Sequence, residues 1–350
     1  MKKRKIIVFS NGTHSAVQRD IESLETMGYA VKRIISQPHT ALPLFLGNRI
    51  REFFLCLFYL PRASAVVCWF NDYHAFFPIV LSKVFFKPSL LIVGGYDAVT
   101  NQSLKYGIFY KKNLRQWMAR KNYAWVKQIW VVHQSLAVGC KTALQNSGTL
   151  SGIHFFIPRL KTPVNTVPTA YDAAFWHCST AKTPKTVLTV AHIPDQRTLK
   201  IKGIPLFLNL AKRLPDFQFT LAGIAPQLLD EREVPPNLTV LGKQSPLELK
   251  FLYSQHQYYF QGSENEGLPN VLCEAMLCKC IPMGHAVFGI PDAIGDTGLL
   301  FDNPLNLNPL VAFLVNQEKI NGEAARARII ERYPVEKRQD AFEHFIHPTV

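Results

Sequence analysis

Apolar positions along the chain fall into short continuous runs separated by stretches with helical spacing. Residues 5–9 form the first run, and 13–27 then place Val17, Ile21 and Leu24 on one helix face before Gly28. Runs of strand length recur at 29–35, 65–70, 90–93 and 129–132. The second half repeats this order, with strands at 187–191, 238–241, 258–262 and 281–283 and helices at 204–214 and 246–254. Phe217, Phe219 and Leu221 alternate with polar neighbours, and Gly223 closes that strand. Strands alternating with helices predict parallel sheets joined by crossovers. Residues 147–185, rich in Pro and Thr, read as a linker, and the tail 309–346 reads as helical. The pattern predicts two doubly wound α/β domains with a cleft between them, where ligands lie beyond the carboxyl ends of the strands.

The greasiest stretch, 74–94, carries Lys83, Lys87, Pro78 and Pro88. A spanning helix needs roughly 20 mainly apolar residues, so this stretch reads as a buried helix followed by a strand. After the basic start Met1 to Lys5, only residues 6–9 are apolar before Ser10-Asn11-Gly12, which predicts a first strand rather than a secretory core. The aromatics at 53–59 and 69–77 read as core. The seven cysteines are odd in number, lie in apolar surroundings and complete no zinc spacing, so no metal site and a reducing, cytoplasmic compartment are expected.

Charge divides the chain. Residues 1–165 hold 22 Lys+Arg against 6 Asp+Glu, whereas 166–350 hold 17 against 19. The basic half is expected to meet an anionic partner: a membrane surface, a lipid-linked diphosphate, an acidic glycan or nucleic acid. No nucleic-acid-binding motif accompanies the charge, so nucleic acid is not the expected partner.

The candidate chemistry lies at Glu266-Gly267-Leu268-Pro269-Asn270 through Glu274, which puts two carboxylates eight positions apart across a Gly and a Pro. Pro suits a first helical turn, so a helix is expected to start near Pro269. Its free N–H groups and dipole would suit a phosphate, with a carboxylate on either side to hold hydroxyls. No Gly-x-Ser-x-Gly elbow or Gly-x-x-x-x-Gly-Lys loop is present.

The segment from Gly262 to Met276 resembles the Glu-x7-Glu signature of glycosyltransferase family 4. The likeness continues through Cys278, Cys280 and Pro282 to Gly289-Ile290-Pro291-Asp292 and Gly298 to Phe301. Thr189-Val190-Ala191, followed by Lys202-Gly203-Ile204, is similar to the family's strand, loop and helix with a phosphate-binding lysine. Gly94-Gly95-Tyr96-Asp97 and Val132-His133-Gln134-Ser135 look like its strand-end loops.

The resemblance implies a GT-B fold: two Rossmann-like domains, at 1–165 for the acceptor and 166–325 for the nucleotide sugar, with a helix at 326–350 packing back toward the first. It implies a retaining, metal-independent transferase without a cofactor, using a UDP- or GDP-linked sugar as co-substrate. By the same likeness Lys202 and Arg197 stabilise the leaving diphosphate and Glu266 contacts the sugar. Glu274 holds the ribose, and Gly267, Leu268, Pro269 and Asn270 cradle the phosphates. His192 stands where the family has an Arg, and Gly223, Lys243 and Gly12 complete the donor contacts. Asp97 orients the acceptor or sugar. Lys279 replaces a usual Gly and is expected to face solvent. The basic half suggests a glycan or lipid-linked acceptor at the inner face of a membrane, in polysaccharide or lipopolysaccharide synthesis. A sugar-nucleotide epimerase on the same fold, an inactive sugar-binding homologue and a basic nucleic-acid binder are the rival readings.

Overall fold

In the computed structural model, residues 4–348 are described apart from 38, 40, 231, 233 and 317–320. The chain divides into two compact units. The first comprises residues 1–140, 148–170 and 335–350; the second comprises 141–147 and 171–334.

The first unit is built on a six-stranded, all-parallel sheet. Its order is Ala30–Ile35, Lys5–Ser10, Ala65–Trp69, Ser89–Val93, Gln128–Val131 and Val164–Thr166. The strands at 65–69 and 89–93 are buried at every position, as expected of strands covered on both faces. Helix Tyr73–Val84 starts at Asp72, whose side chain accepts from the Tyr73 N–H, and Asn113 caps helix Leu114–Trp125 in the same manner. The predicted helix-then-strand reading of 74–94 matches the structure.

Two expectations fail here. The presumed linker contains the sixth strand, Val164–Thr166, and so the first unit extends beyond residue 165. That strand is only three residues long, too short to show a period in sequence. The aromatics at 53–59 are not core. They lie on helix Leu42–Tyr59, in which only Glu52 and Cys56 are buried. Phe54 and Phe58 are each 61% exposed.

The second unit repeats the architecture, in the order Leu238–Leu241, Gln218–Ile224, Thr183–Ile193, His256–Gln261, Ile281–His285 and Leu299–Phe301. Its core includes Phe207, Phe219, Phe260, Met283 and Phe301. Helix Ile204–Arg213 turns Phe207, Leu208 and Ala211 inward, the face its spacing predicts.

The chain end holds two helices where one was expected at 326–350. Gly322–Arg332 belongs to the second unit and Val335–Ile346 to the first, with Pro334 between them. Within the helical tail read from sequence, 317–320 lie outside the described residues. In the first unit, Arg338 of the last helix donates from Nε and Nη2 to the two carboxylate oxygens of Asp20, at 2.7 and 2.6 Å. Its Nη1 donates to the carbonyls of Val167 and Pro168, and the rings of Trp69, Trp130 and Phe342 lie 5.5 Å from its guanidinium carbon.

Candidate functional site

The two loops carrying the strongest sequence signal meet in the second unit. Helix Gln196–Ile201 is capped by Asp195, whose side chain accepts from the Thr198 N–H, and it ends at Lys202. Gly203 follows with φ +69°, where a side chain would be strained. A Cβ there would lie 2.1 Å from the Gly262 carbonyl oxygen, so only glycine permits this approach of the two loops. The Glu264 N–H donates to the Ile201 carbonyl at 2.8 Å and fastens them together.

That approach brings Lys202 to Glu266. Nζ of Lys202 donates to Oε1 of Glu266 in a partly buried ion pair. The same oxygen accepts from Ser263 Oγ at 3.0 Å and from Gln261 Nε2 at 3.4 Å. Pro269 occupies the cap position of helix Asn270–Leu277, one residue before the first turn. The Gly289 N–H donates to the Gly267 carbonyl at 2.9 Å. Leu268 is buried, and the Asn270 amide oxygen accepts from the Tyr171 hydroxyl at 3.0 Å. Glu274 is buried in the second turn. Burial, followed by the Glu274 charge, raises the Tyr253 phenol well above its usual range.

The other expected residues have contacts of their own. Residues 193–201 contain the short helix, and Arg197 in its first turn faces Asp195 at 3.7 Å with both side chains nearly half exposed. His192 is exposed at the end of its strand. Gly223, with φ +98°, has a packing reason to be glycine: a Cβ would lie 2.2 Å from the Ala191 carbonyl oxygen at a break in strand register. Its N–H donates to the Gly242 carbonyl at 3.1 Å, and Lys243 beyond is exposed.

Gly12 and Asp97 lie in the first unit. The Gly12 carbonyl accepts from Ser10 Oγ and Arg33 Nη2. Asp97 is 1% exposed, and its two oxygens accept from the Asn71 and Gly95 N–H groups at 2.9 Å. Burial pushes its carboxyl up to about 6 against those hydrogen bonds.

Sequence reasoning missed two residues beside the pair. Asn265 is 4% exposed, and both polar atoms of its amide are buried without a hydrogen-bond partner. The signal for it was its place inside the Gly262–Glu266 loop. His285 ends the adjacent strand, is buried, and meets the Ser263 carbonyl at 3.3 Å and the Asn146 amide at 3.1 Å. Burial lowers its pKa, which keeps the ring neutral. Among the described residues no three His, Cys, Asp or Glu side chains are grouped to hold a metal ion, and all seven cysteines are free.

The model of the family described as "Glycosyl transferases group 1" matches residues 178–332. No curated protein sequence matches the chain. Solved structures similar to it include sucrose-phosphate synthase from Thermosynechococcus elongatus, at a TM-score of 0.73 and 14% identity over 98% of each chain. The catalytic domain of starch synthase IV from Arabidopsis thaliana, bound to ADP and acarbose, is similar at 0.70 and 11% identity over 99% of each chain. Anabaena HepE in complex with UDP is similar at 0.66 and 13% identity, over 97% of this chain and 98% of that one. At such identities these likenesses establish the fold, which is GT-B. The family match places a glycosyltransferase domain in the chain and gives the enzyme class.

Proposed function

We propose that the protein is a retaining glycosyltransferase that moves a sugar from a nucleoside diphosphate sugar, UDP- or GDP-linked, to a glycan or lipid-linked acceptor. The observation that carries this reading is the Lys202–Glu266 pair, held where two glycine backbones meet. In the reaction the bond from the anomeric carbon to the phosphate oxygen breaks, its electron pair leaving with the diphosphate, and an acceptor hydroxyl oxygen bonds to that carbon and gives up its proton to the departing phosphate oxygen. Negative charge grows on the departing diphosphate, and fixed donors stabilise it best in a water-poor site.

Lys202 supplies the cation, and the N–H groups opening helix Asn270–Leu277 supply dipoles. Glu266 accepts from sugar hydroxyls, aided by Asn265, whose unpaired amide can both donate and accept. Glu274 accepts from the ribose. Arg197 and His192 are the further candidate contacts to the diphosphate. Asp97 acts as a positioning residue, since both its oxygens already hold backbone.

The acceptor reading rests on the first unit. Leu42, Leu46, Ile50, Phe54 and Phe58 recur every four residues on helix Leu42–Tyr59 and are all exposed. The neighbouring helices add exposed Leu114 and Trp117, with Phe86 just beyond. Lys83, Lys87, Lys111, Lys112 and Lys121 lie beside them in sequence. An exposed apolar stripe in a half of the chain rich in cations suits an anionic bilayer surface. No helix among the described residues is long and apolar enough to cross a membrane. We place the enzyme at the inner face of the membrane, in cell-surface polysaccharide or lipopolysaccharide synthesis.

Thermal unfolding with UDP, GDP, ADP and CMP tests the donor reading. A ligand at 100 times its Kd adds about 2.7 kcal/mol to the native state, a rise of several degrees for a chain of this size. One diphosphate is expected to stabilise the protein and thereby name the base. A flat response to the whole panel overturns the assignment.

A further inference from the structure

The first unit holds a cavity of about 350 Å³ whose lining includes Asn11, Phe45, Asn48, Arg49, Tyr73 and Arg115. It lies at the carboxyl ends of the strands that finish at Ser10, Ile35 and Trp69, where an open parallel sheet offers its ligand site. Two guanidinium groups and one carboxylate, Asp72, line it.

The two arginines are in different states. Arg115 is fully engaged: Nε and Nη2 donate to the two oxygens of Asp72 and Nη1 to the Tyr96 hydroxyl. Arg49 is not. Its Nη2 donates to Ser36 Oγ at 2.7 Å and Glu52 Oε1 at 2.6 Å, while Nε and Nη1 are buried with no hydrogen-bond partner. Its guanidinium carbon lies 5.3 Å from the centre of the Phe45 ring and 6.0 Å from that of Tyr73.

Glu52 does not balance Arg49 fully. It is buried, one of its oxygens has no partner, and burial pushes its carboxyl up to about 7. Two guanidinium groups thus stand against one lining carboxylate, and the unpaired Nε and Nη1 of Arg49 are buried within the cavity wall. Buried donors without partners are costly. A phosphate toward which the Arg49 guanidinium turns answers both demands, because its oxygens match a guanidinium fork in pairs. The asparagine amides and aromatic rings beside it suit the hydroxyls and faces of an adjoining sugar.

We propose that this cavity is the acceptor's anion site, taking a phosphate or diphosphate group through Arg49. The proposal rests on the transferase reading and adds the acceptor's chemical class. A phosphorylated soluble glycan and a lipid-linked diphosphate share this chemistry.

The test is calorimetric titration of the full chain with inorganic pyrophosphate in a Lys202→Ala background, which removes the main diphosphate contact of the second unit. Lys202→Ala protein is expected to retain one site, and addition of Arg49→Gln to weaken it at least tenfold. Arg49→Lys keeps the charge without the fork and is expected to fall between them, which guards against a misfolded Gln variant. Unchanged affinity in both Arg49 variants, or no pyrophosphate site in Lys202→Ala protein, overturns the proposal. Tighter binding of geranyl diphosphate than of pyrophosphate identifies the lipid source, and tighter binding of glucose 1-phosphate the soluble one. Failure of the transferase reading appears separately, as wild-type protein that no nucleoside diphosphate stabilises.

Discussion

Lys202 and Glu266 neutralise each other across 64 residues of sequence. Under the proposed function the donor separates them: its diphosphate takes the ammonium, and its sugar hydroxyls take the carboxylate. Lys202→Ala and Glu266→Ala are each expected to lower kcat by about 10²–10³-fold, the effect of removing one preorganised charge-stabilising group. Both variants should keep the far-ultraviolet dichroism of the wild type. Wild-type turnover in both would remove these residues from the site.

Arg338 and Asp20 make the second consequential pair. Their side chains are 2% and 6% exposed, and all three guanidinium nitrogens are hydrogen-bonded. Arg338→Ala strands a buried carboxylate and is expected to cost about 3–5 kcal/mol. Urea unfolding reads this as an earlier midpoint with little change in slope.

Lys279 has φ +63° and pairs with Glu323 at 2.5 Å on a partly exposed surface. A left-handed lysine costs roughly 1–2 kcal/mol relative to a right-handed one, and an exposed ion pair returns about 0–1 kcal/mol. Lys279→Gly should therefore stabilise the protein, by up to about 1 kcal/mol, as a higher melting temperature.

Glu52 gives stability a pH dependence of defined sign. Burial raises its pKa from 4.5 to about 7. Between those values the unfolded chain holds fewer protons, so stability falls as pH rises through the window. His74, lowered by burial to about 4, acts in the opposite sense, adding stability as pH rises from about 4 to its ordinary 6.5. Glu52→Gln removes the first effect and leaves the second. Melting temperatures between pH 5 and 7 should then decline less with pH than in the wild type. Identical slopes would show that Glu52 titrates normally.

The exposed stripe on helix Leu42–Tyr59 predicts reversible binding to anionic vesicles. Phe54→Ser with Phe58→Ser should reduce co-sedimentation with phosphatidylglycerol vesicles several-fold, and wild-type binding should weaken as salt rises. Equal binding to neutral and anionic vesicles would contradict the role given to the basic residues.

Most strands of the second unit were legible in sequence, because they are apolar runs and several end at a Gly, and helix Ile204–Arg213 shows clear spacing. Lys202 and Glu266 were legible as separate signals. Their contact was not, since it depends on the Gly203–Gly262 approach, which no local pattern encodes. The first unit misled at residues 53–59, where aromatic residues that usually mark a core face solvent. Composition cannot tell an apolar face awaiting a partner from one packed inside. Arg49 was overlooked for a related reason: its meaning comes from what it fails to bond, and unpaired donors appear only in three dimensions. The strand Val164–Thr166 was hidden among Pro and Thr by its shortness.

The return of helix Val335–Ile346 to the first unit has a consequence for synthesis. Asp20 leaves the ribosome early, but Arg338 follows 318 residues later. The second unit between them can close its sheet while the first still lacks its last helix. The half that begins the chain is thus the last to be finished, and until then Trp69 and Trp130 lack the guanidinium that lies beside them both. Stalled or truncated chains should expose that aromatic seam to chaperones while carrying an already assembled Lys202–Glu266 pair.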